Sequence, residues 1–207
     1  CALPICMLTG EVAYYSNEHR VRCKDGSYKW ILDRGKVIDR DDAGNPVRVI
    51  GTHTDLTAMK ARDAEMQLHA NLFMHSLEGI MICAADSTIL AVNQSFTEIT
   101  GYAQADVQGK RPAVLSSGRH DEDFYRDMWR QVNTQGRWQG EVWNRRKDGT
   151  LFLEWLTINV DRADDGSVRH YYAIFSDITE RRATEQRLVH LTHHDPLTDL
   201  PNRLVLR

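Results

Sequence analysis

The chain has 207 residues, of which 42% are hydrophobic, and its formal net charge is −3. This length allows one or two domains, and the hydrophobic fraction is sufficient for a globular core. Without a basic excess, we expect no nucleic-acid partner and no direct contact with a membrane surface. No apolar run approaches the roughly 18 residues of a membrane span. An intact parent protein can still carry a membrane anchor upstream of this sequence. The four cysteines have neither metal-ligand spacing nor disulfide density, so we expect reduced thiols in the cytoplasm.

Residues 1–56 have the pattern of an antiparallel meander. Lys24-Asp25-Gly26 and the polar run 41–46 predict two turns, and alternating polar and apolar residues predict strands on either side of them. We predict three strands and no helix in this segment. Such a sheet resembles the closing part of a larger module, and we expect that the front half of the module is missing.

Residues 57–76 form a predicted linker helix. Asp55 or Thr57 is suited to cap its start. Met59, Met66 and Phe73 follow one another at intervals of seven residues. This spacing fits an amphipathic helix that lies on a domain and equally fits a short dimeric coiled coil.

Residues 77–177 have the pattern of a complete domain. Two short strands come first, small helices follow, and three longer strands close the segment. The predicted strands cover residues 79–83, 88–92, 138–146, 151–162 and 168–177, and the helices cover 93–100, 103–107 and 121–134. This order predicts an α+β fold with a five-stranded antiparallel sheet, short helices on one face and a linker helix at each end.

Residues 178–194 predict a second connecting helix, after which residues 195–207 start another domain. Like the first linker helix, this helix begins at an Asp-x-Thr motif.

The sequence also contains an internal repeat. Lys24-Asp25-Gly26 returns as Lys147-Asp148-Gly149 after 123 residues, and Asp55 returns as Asp177 after 122 residues. A period of this length is the size of a domain rather than of a solenoid repeat, so the chain contains two tandem copies of one module.

Three segments in residues 77–182 resemble the PAS sensory domain: Asn93–Tyr102, Asn144–Gly149 and Asp177–Arg182. Residues 10–57 are similar to the C-terminal part of a preceding PAS domain, the PAC motif. Asp195–Arg203 is similar to the opening of a GGDEF domain, which has the diguanylate cyclase fold. The resemblance implies a bacterial PAS–GGDEF protein of cyclic di-GMP signalling, with or without a phosphodiesterase domain further on.

The sequence contains no motif that predicts a catalytic site. Neither Gly-Gly-Asp-Glu-Phe nor Gly-Gly-Glu-Glu-Phe occurs in it, and no nucleophile–base pair or carboxylate cluster stands out. We therefore expect no catalytic residue and no metal site here. An intact parent is expected to be a diguanylate cyclase, a cyclic di-GMP phosphodiesterase, or both.

A cofactor pocket is suggested by Arg119, His120, Trp138 and Asn144, because this set is similar to flavin-binding PAS domains such as aerotaxis receptors and nitrogen-fixation redox regulators. The resemblance implies FAD, with Trp138 near the isoalloxazine ring, Asn144 at its polar edge and Arg119 at the pyrophosphate. The alternative is that the tryptophans pack in the core or in an interface and that Asn144 only takes part in the strand ladder.

Haem is the second candidate, since it needs an axial histidine and His120 precedes the longest helix of the domain. The alternative is that His120 is a solvated or capping residue. Cys83 lies in an apolar strand without the Asn-Cys-Arg motif of blue-light PAS domains, and we predict a core cysteine there.

Signal relay is predicted at Asp55, Thr57, Asp177 and Thr179, where each copy passes from its last strand to a helix. The Asp carboxylate can accept bonds from N–H groups at the helix start and stiffen this joint. We therefore expect a homodimer that senses a small ligand or a redox state and relays it to a downstream GGDEF domain. A ligand-free dimerisation and relay module is the alternative.

Overall fold

A computed structural model of the chain describes residues 14–193. The described chain divides into two compact units between Ala70 and Asn71, inside the predicted linker helix. The predicted start of a GGDEF domain at residues 195–207 lies outside the described residues, as do residues 1–13. The predicted domain bounds at residues 56, 76, 177 and 194 remain predictions.

The first unit contains a three-stranded antiparallel sheet in the order β1-β2-β3. Its strands are β1 (Tyr14–Arg22), β2 (Tyr28–Arg40) and β3 (Pro46–Asp55). Gly26 has a φ of 87°, which the tight turn between β1 and β2 requires. The predicted meander is confirmed, and β2 continues to Arg40, the residue before the predicted polar turn.

Helix α1 (Thr57–Met74) follows β3 and has no buried residue. Lys60 in its first turn forms an ion pair with Glu18 of β1 at 2.6 Å and lies over the Trp30 ring. Met66, Leu68 and Leu72 are among the exposed apolar side chains of the helix. Within residues 14–193, no helix has the length and apolar character that crossing a membrane requires.

The second unit has a five-stranded antiparallel sheet in the order β5-β4-β8-β7-β6. Its strands are β4 (Gly79–Ala84), β5 (Ile89–Val92), β6 (Arg137–Arg145), β7 (Leu151–Arg162) and β8 (Val168–Asp177). Its helices are α2 (Gln94–Thr100), α3 (Gln104–Val107), α4 (Glu122–Gln135) and α5 (Thr179–His193), with a 3-10 turn at Pro112–Leu115. The predicted α+β fold is confirmed, while the 3-10 turn was not predicted.

Local sequence sets the ends of α4. Asp121 accepts a bond from the Phe124 N–H as the N-cap, and Gly136 ends the helix in the left-handed conformation. Met128 and Val132 are four residues apart and both buried, so one face of the helix covers the sheet. Phe96, Phe152 and Phe175 fill the core between the sheet and the helices.

Candidate functional site

A cavity of about 340 Å³ lies between the inner face of the five-stranded sheet and the elements that cover it. Its wall is largely apolar, with Leu156, Ile158 and Phe175 from the sheet and Met128 from α4. Trp129 of α4 also lines it. Exposed Arg111 and Ser116, on either side of the 3-10 turn, mark its mouth. Small-molecule sites measure about 300–1,000 Å³, so this cavity has room for one compact ring system.

Strand alternation places one acidic residue in this apolar wall. Side chains two residues apart point to the same face of a strand, and Glu154, Leu156 and Ile158 all line the cavity from β7. Glu154 is only 2% exposed. A carboxyl group is therefore held among hydrocarbon side chains, where an isolated charge is costly.

Glu154 has one bonded and one unbonded oxygen. Asn144 of β6 donates from Nδ2 to Glu154 Oε1 at 2.9 Å. Glu154 Oε2 is buried and has no hydrogen-bond partner among the described residues. Burial raises the pKa of Glu154 to about 8, and Asp177 adds to this rise while the Asn144 bond opposes it. The group is thus mainly a neutral carboxylic acid at neutral pH.

Asp177 is the charged neighbour of Glu154. The two residues are directly paired across β7 and β8. Thr179 donates to Asp177 Oδ1 from its N–H at 2.9 Å and from its hydroxyl at 2.6 Å, and Arg146 pairs with Oδ2. Burial opposes the charge of Asp177, but these bonds outweigh burial and lower its pKa. The ionised member of the pair is therefore Asp177.

The predicted cofactor residues do not come together. Asn144 lines the cavity, whereas Trp138 and Arg119 do not. Trp138 packs edge-on against Phe124, with 6.0 Å between ring centroids, and the Arg119 guanidinium lies over the Trp143 ring, 4.2 Å from its centroid. Arg111 is the arginine that lines the cavity, and the contact of Arg119 with a pyrophosphate stays a prediction.

His120 also lies outside the cavity lining. Its Nε2 accepts a bond from the Trp143 N–H at 2.8 Å, and its ring stacks on Phe124 at 4.1 Å. Burial lowers its pKa, so the neutral imidazole is favoured. Coordination of haem through Nε2 would require the bond to Trp143 to break.

Cys83 of β4 is part of the core, as predicted, and also lines the cavity. It is 4% exposed, and burial raises the pKa of its thiol to about 11. The thiol is therefore protonated and unreactive at neutral pH. Within residues 14–193, no group of three or more His, Cys, Asp or Glu side chains is arranged to hold a metal ion.

The relay residues form the same bonds in both copies. Asp177 Oδ1 accepts from the Thr179 N–H, and Thr179 Oγ1 accepts from the Leu153 N–H at 2.8 Å. In the first copy, Asp55 Oδ1 accepts from the Thr57 N–H at 2.9 Å, and Thr57 Oγ1 accepts from the Trp30 N–H at 3.0 Å. Each Asp-x-Thr motif thus fastens the start of a helix to the strand that pairs with the last strand of its sheet, β2 in the first copy and β7 in the second.

Sequence reasoning missed Glu154, Arg111 and the place of Trp129 in the cavity wall. A signal for Glu154 was present, because it is an acidic residue at an inward position of an otherwise apolar alternation from Phe152 to Ile158. The first copy has Ile31 opposite Asp55, in the register that Glu154 has opposite Asp177. A buried acid at this register position is therefore found in the second copy and not in the first.

Comparison with known proteins places these features in a family. The PAS domain family matches residues 77–180, and the PAS fold matches residues 3–53. The nitrogen fixation regulatory protein of Klebsiella oxytoca is 31% identical over 126 residues, which are 59% of this chain and 26% of that protein. The aerotaxis receptor of Escherichia coli is 27% identical over 103 residues, which are 49% of this chain and 19% of the receptor.

A solved structure shows the same fold. The PAS domain of a Colwellia psychrerythraea protein superposes with a TM-score of 0.53 at 20% identity, and the match covers 56% of this chain and 99% of that domain. The aligned part of the chain spans about a quarter of the Klebsiella relative. The family match covers half of the chain and the structure has the fold, so the chain belongs to the PAS domain family of sensory signalling modules.

Proposed function

We propose that residues 77–177 form a sensor that binds a small planar ligand in the 340 Å³ cavity and relays its state through α5. One observation carries the proposal: a largely apolar cavity whose wall includes the buried, hydrogen-bonded pair Asn144 and Glu154. A few polar groups in an apolar pocket are the usual arrangement for orienting a small ligand.

Flavin is the first candidate ligand. The resemblance of Asn144 and its neighbours to flavin-binding PAS domains supports this choice. The residues present fit the ring system: Asn144 would bond its polar edge, Trp129 would lie beside it, and Arg111 stands at the mouth where a side chain of the ligand would leave. When bound, a flavin supplies redox or light sensitivity, while the chain orients it and excludes water.

Haem is supported less well, because no histidine is among the residues that line the cavity and His120 Nε2 already accepts a backbone bond. A ligand-free dimerisation and relay module is the second candidate function. Its specific support is the set of exposed apolar side chains on both connecting helices, including Leu72 on α1 and Leu188 on α5. The homodimer is part of this proposal and of the first.

The proposed relay starts at the sheet and ends on α5. Glu154 lines the cavity and is paired with Asp177, which is bonded to Thr179 at the start of the helix. One turn further on, Arg182 forms an ion pair with Glu141 of β6 at 2.8 Å. A ligand that shifts β7 would therefore act on both attachments of the first turn of α5.

The output is proposed to be a GGDEF domain that follows the chain. The support is the sequence resemblance of Asp195–Arg203, together with the position of α5 directly before it. Residues 1–207 lack the motif that gives this cyclase its name, so we propose that they have no cyclase activity of their own. The parent would carry the activity of a diguanylate cyclase, a cyclic di-GMP phosphodiesterase, or both.

An absorption spectrum of the freshly purified chain tests the ligand. Bands of an oxidised flavin that are lost after Asn144→Ala would support the sensor. A Soret band would instead support haem and would overturn flavin. If no chromophore copurifies and no binding of added riboflavin is measured, a dimer in light scattering would favour the ligand-free module.

A further inference from the structure

We propose that Glu154 binds the ligand as a neutral carboxylic acid, whose hydroxyl donates to an acceptor atom of an uncharged planar ligand, so that ionisation of Glu154 releases the ligand. This inference rests on the proposed function and deepens it, since it names the chemical class that the cavity selects. It also assigns a specificity-determining residue that sequence reasoning missed.

The geometry leaves one atom of Glu154 for a ligand. Oε1 accepts from Asn144 Nδ2 at 2.9 Å, while Oε2 is buried and has no partner within the described part of the chain. A buried polar atom without a partner costs free energy, and a ligand that bonds to it recovers this cost. Because Glu154 lines the cavity, a molecule in the cavity can reach it.

The surroundings of Glu154 determine which form of the carboxyl group meets the ligand. On β8, Asp177 is directly opposite and is ionised, so a second negative charge on this face would be repelled. Directly after β6, Arg146 is paired with Asp177 and also donates to the Ile99 carbonyl. This cation is thus committed to Asp177 and does not neutralise Glu154.

The remaining titratable groups around the cavity do not supply a compensating charge. Tyr171 donates from its hydroxyl to Asn133 at 3.1 Å, and the Cys83 thiol is protonated at neutral pH. Arg111 is exposed at the mouth of the cavity, and the remaining titratable side chain in the lining is Tyr125 of α4. Burial and Asp177 therefore raise the pKa of Glu154 to about 8, in agreement with the geometry.

This state of Glu154 selects a class of ligand. A neutral carboxyl group donates one hydrogen bond, and the Asn144 side chain offers a carbonyl oxygen as an acceptor beside it. An uncharged ring that carries a carbonyl group, with or without an adjacent N–H, complements this pair. The ionised Asp177, which is paired with Glu154, would repel an anionic ligand, so we expect such a ligand to bind more weakly.

The test is the pH dependence of riboflavin binding to the 207-residue chain, measured by fluorescence quenching from pH 6 to pH 9.5. For the wild type we expect the affinity to fall as the pH rises through 8, by about tenfold between pH 7 and pH 9 if only the protonated form binds. Glu154→Gln keeps an N–H donor at this position but does not ionise, so its affinity should be nearly constant over this range. Glu65→Gln, on exposed α1, is the matched control and should follow the wild type.

The outcomes separate the two proposals. If riboflavin does not bind the wild type at any pH, the proposed flavin function is overturned and this inference falls with it. If riboflavin binds with a pH dependence that Glu154→Gln retains, only the role of Glu154 is overturned. Should Glu154→Gln fail to fold, carboxyl ¹³C NMR of the wild type decides, because an ionised Glu154 at pH 7 would contradict the inference directly.

Discussion

Glu154 and Asp177 are opposite each other on neighbouring strands of the sheet, and their carboxyl groups belong to the same face. Directly paired residues have Cβ atoms about 4.5–5.5 Å apart, a distance at which two charges would repel each other. Thr179 and Arg146 stabilise the negative charge of Asp177. Glu154 lies in the cavity wall, where burial favours its neutral form. The pair therefore joins the pocket to the outgoing helix.

The first prediction concerns stability and pH. Because the pKa of Glu154 is raised to about 8 in the folded state, the folded chain binds a proton that the unfolded chain releases above its ordinary pKa of 4.5. Stability should therefore fall between about pH 4.5 and pH 8, with a slope of at most about 1.4 kcal/mol per pH unit from this group. Glu154→Gln should remove this slope in urea unfolding at pH 5, 6.5 and 8.

Glu65→Gln controls for the loss of one carboxyl group and should keep the wild-type slope. A wild type and a Glu154→Gln variant with parallel pH profiles would show that Glu154 is already ionised in the folded chain.

The second prediction concerns the helix joints. Thr179→Val removes the oxygen that accepts the N–H of buried Leu153 and should cost about 1–3 kcal/mol of unfolding free energy. Thr57→Val is the matched change in the first copy, where the Trp30 N–H loses its acceptor. In hydrogen exchange, each variant should lose protection at the start of its own helix, α5 or α1. Equal loss in both helices from either change would contradict a local joint.

The third prediction separates two tryptophans. Trp129 lines the cavity, so Trp129→Phe should weaken riboflavin binding and reduce the quenching of tryptophan fluorescence. Trp138 lies over Gly140, where an added methyl group would come within 2.8 Å of the indole. Trp138→Phe should lower the unfolding midpoint and leave the dissociation constant unchanged. The reverse result would restore Trp138 as a residue of the pocket.

The fourth prediction uses the thiols as probes. Cys23 is half-buried, whereas Cys83 is buried and its pKa is raised to about 11. Iodoacetamide at pH 8 should therefore label the Cys23 peptide well before the Cys83 peptide, as followed by mass spectrometry. Saturating riboflavin should slow the labelling of Cys83 further and leave that of Cys23 unchanged. Faster labelling of Cys83 would mean that the cavity wall opens readily.

The fold of the second unit could be predicted because its signals are local. Alternating residues indicated β6–β8, and Asn93 and Gly101 marked the two ends of α2, where Asn93 accepts from the Phe96 N–H and Gly101 has a φ of 75°. The Asp-x-Thr joints were equally local, since the bond from Thr179 to Asp177 spans two residues.

The site was harder to predict because it depends on pairing between strands. The proximity of Glu154 to Asn144 and Asp177 follows from the register of three strands, which the sequence pattern alone does not specify. The sequence around Trp129 and Trp138 does not show which of the two tryptophans lines a cavity. The packing of α4 on the sheet places Trp129 in the cavity wall and Trp138 beside Phe124. The untested expectations of a dimer and of a cyclase output remain predictions.

The two Asp-x-Thr joints also bear on how such a chain is assembled. Each joint uses its own aspartate and threonine together with a main-chain N–H group of the neighbouring strand, so its bonds do not depend on the side chains that fill the domain before it. Excision of the 122 residues from Thr57 to Ile178 would join Asp55-Leu56 to Thr179 and regenerate an Asp-Leu-Thr motif before α5. We therefore expect that recombination at these points can insert, remove or replace a sensor while the bonds at the start of the outgoing helix are preserved.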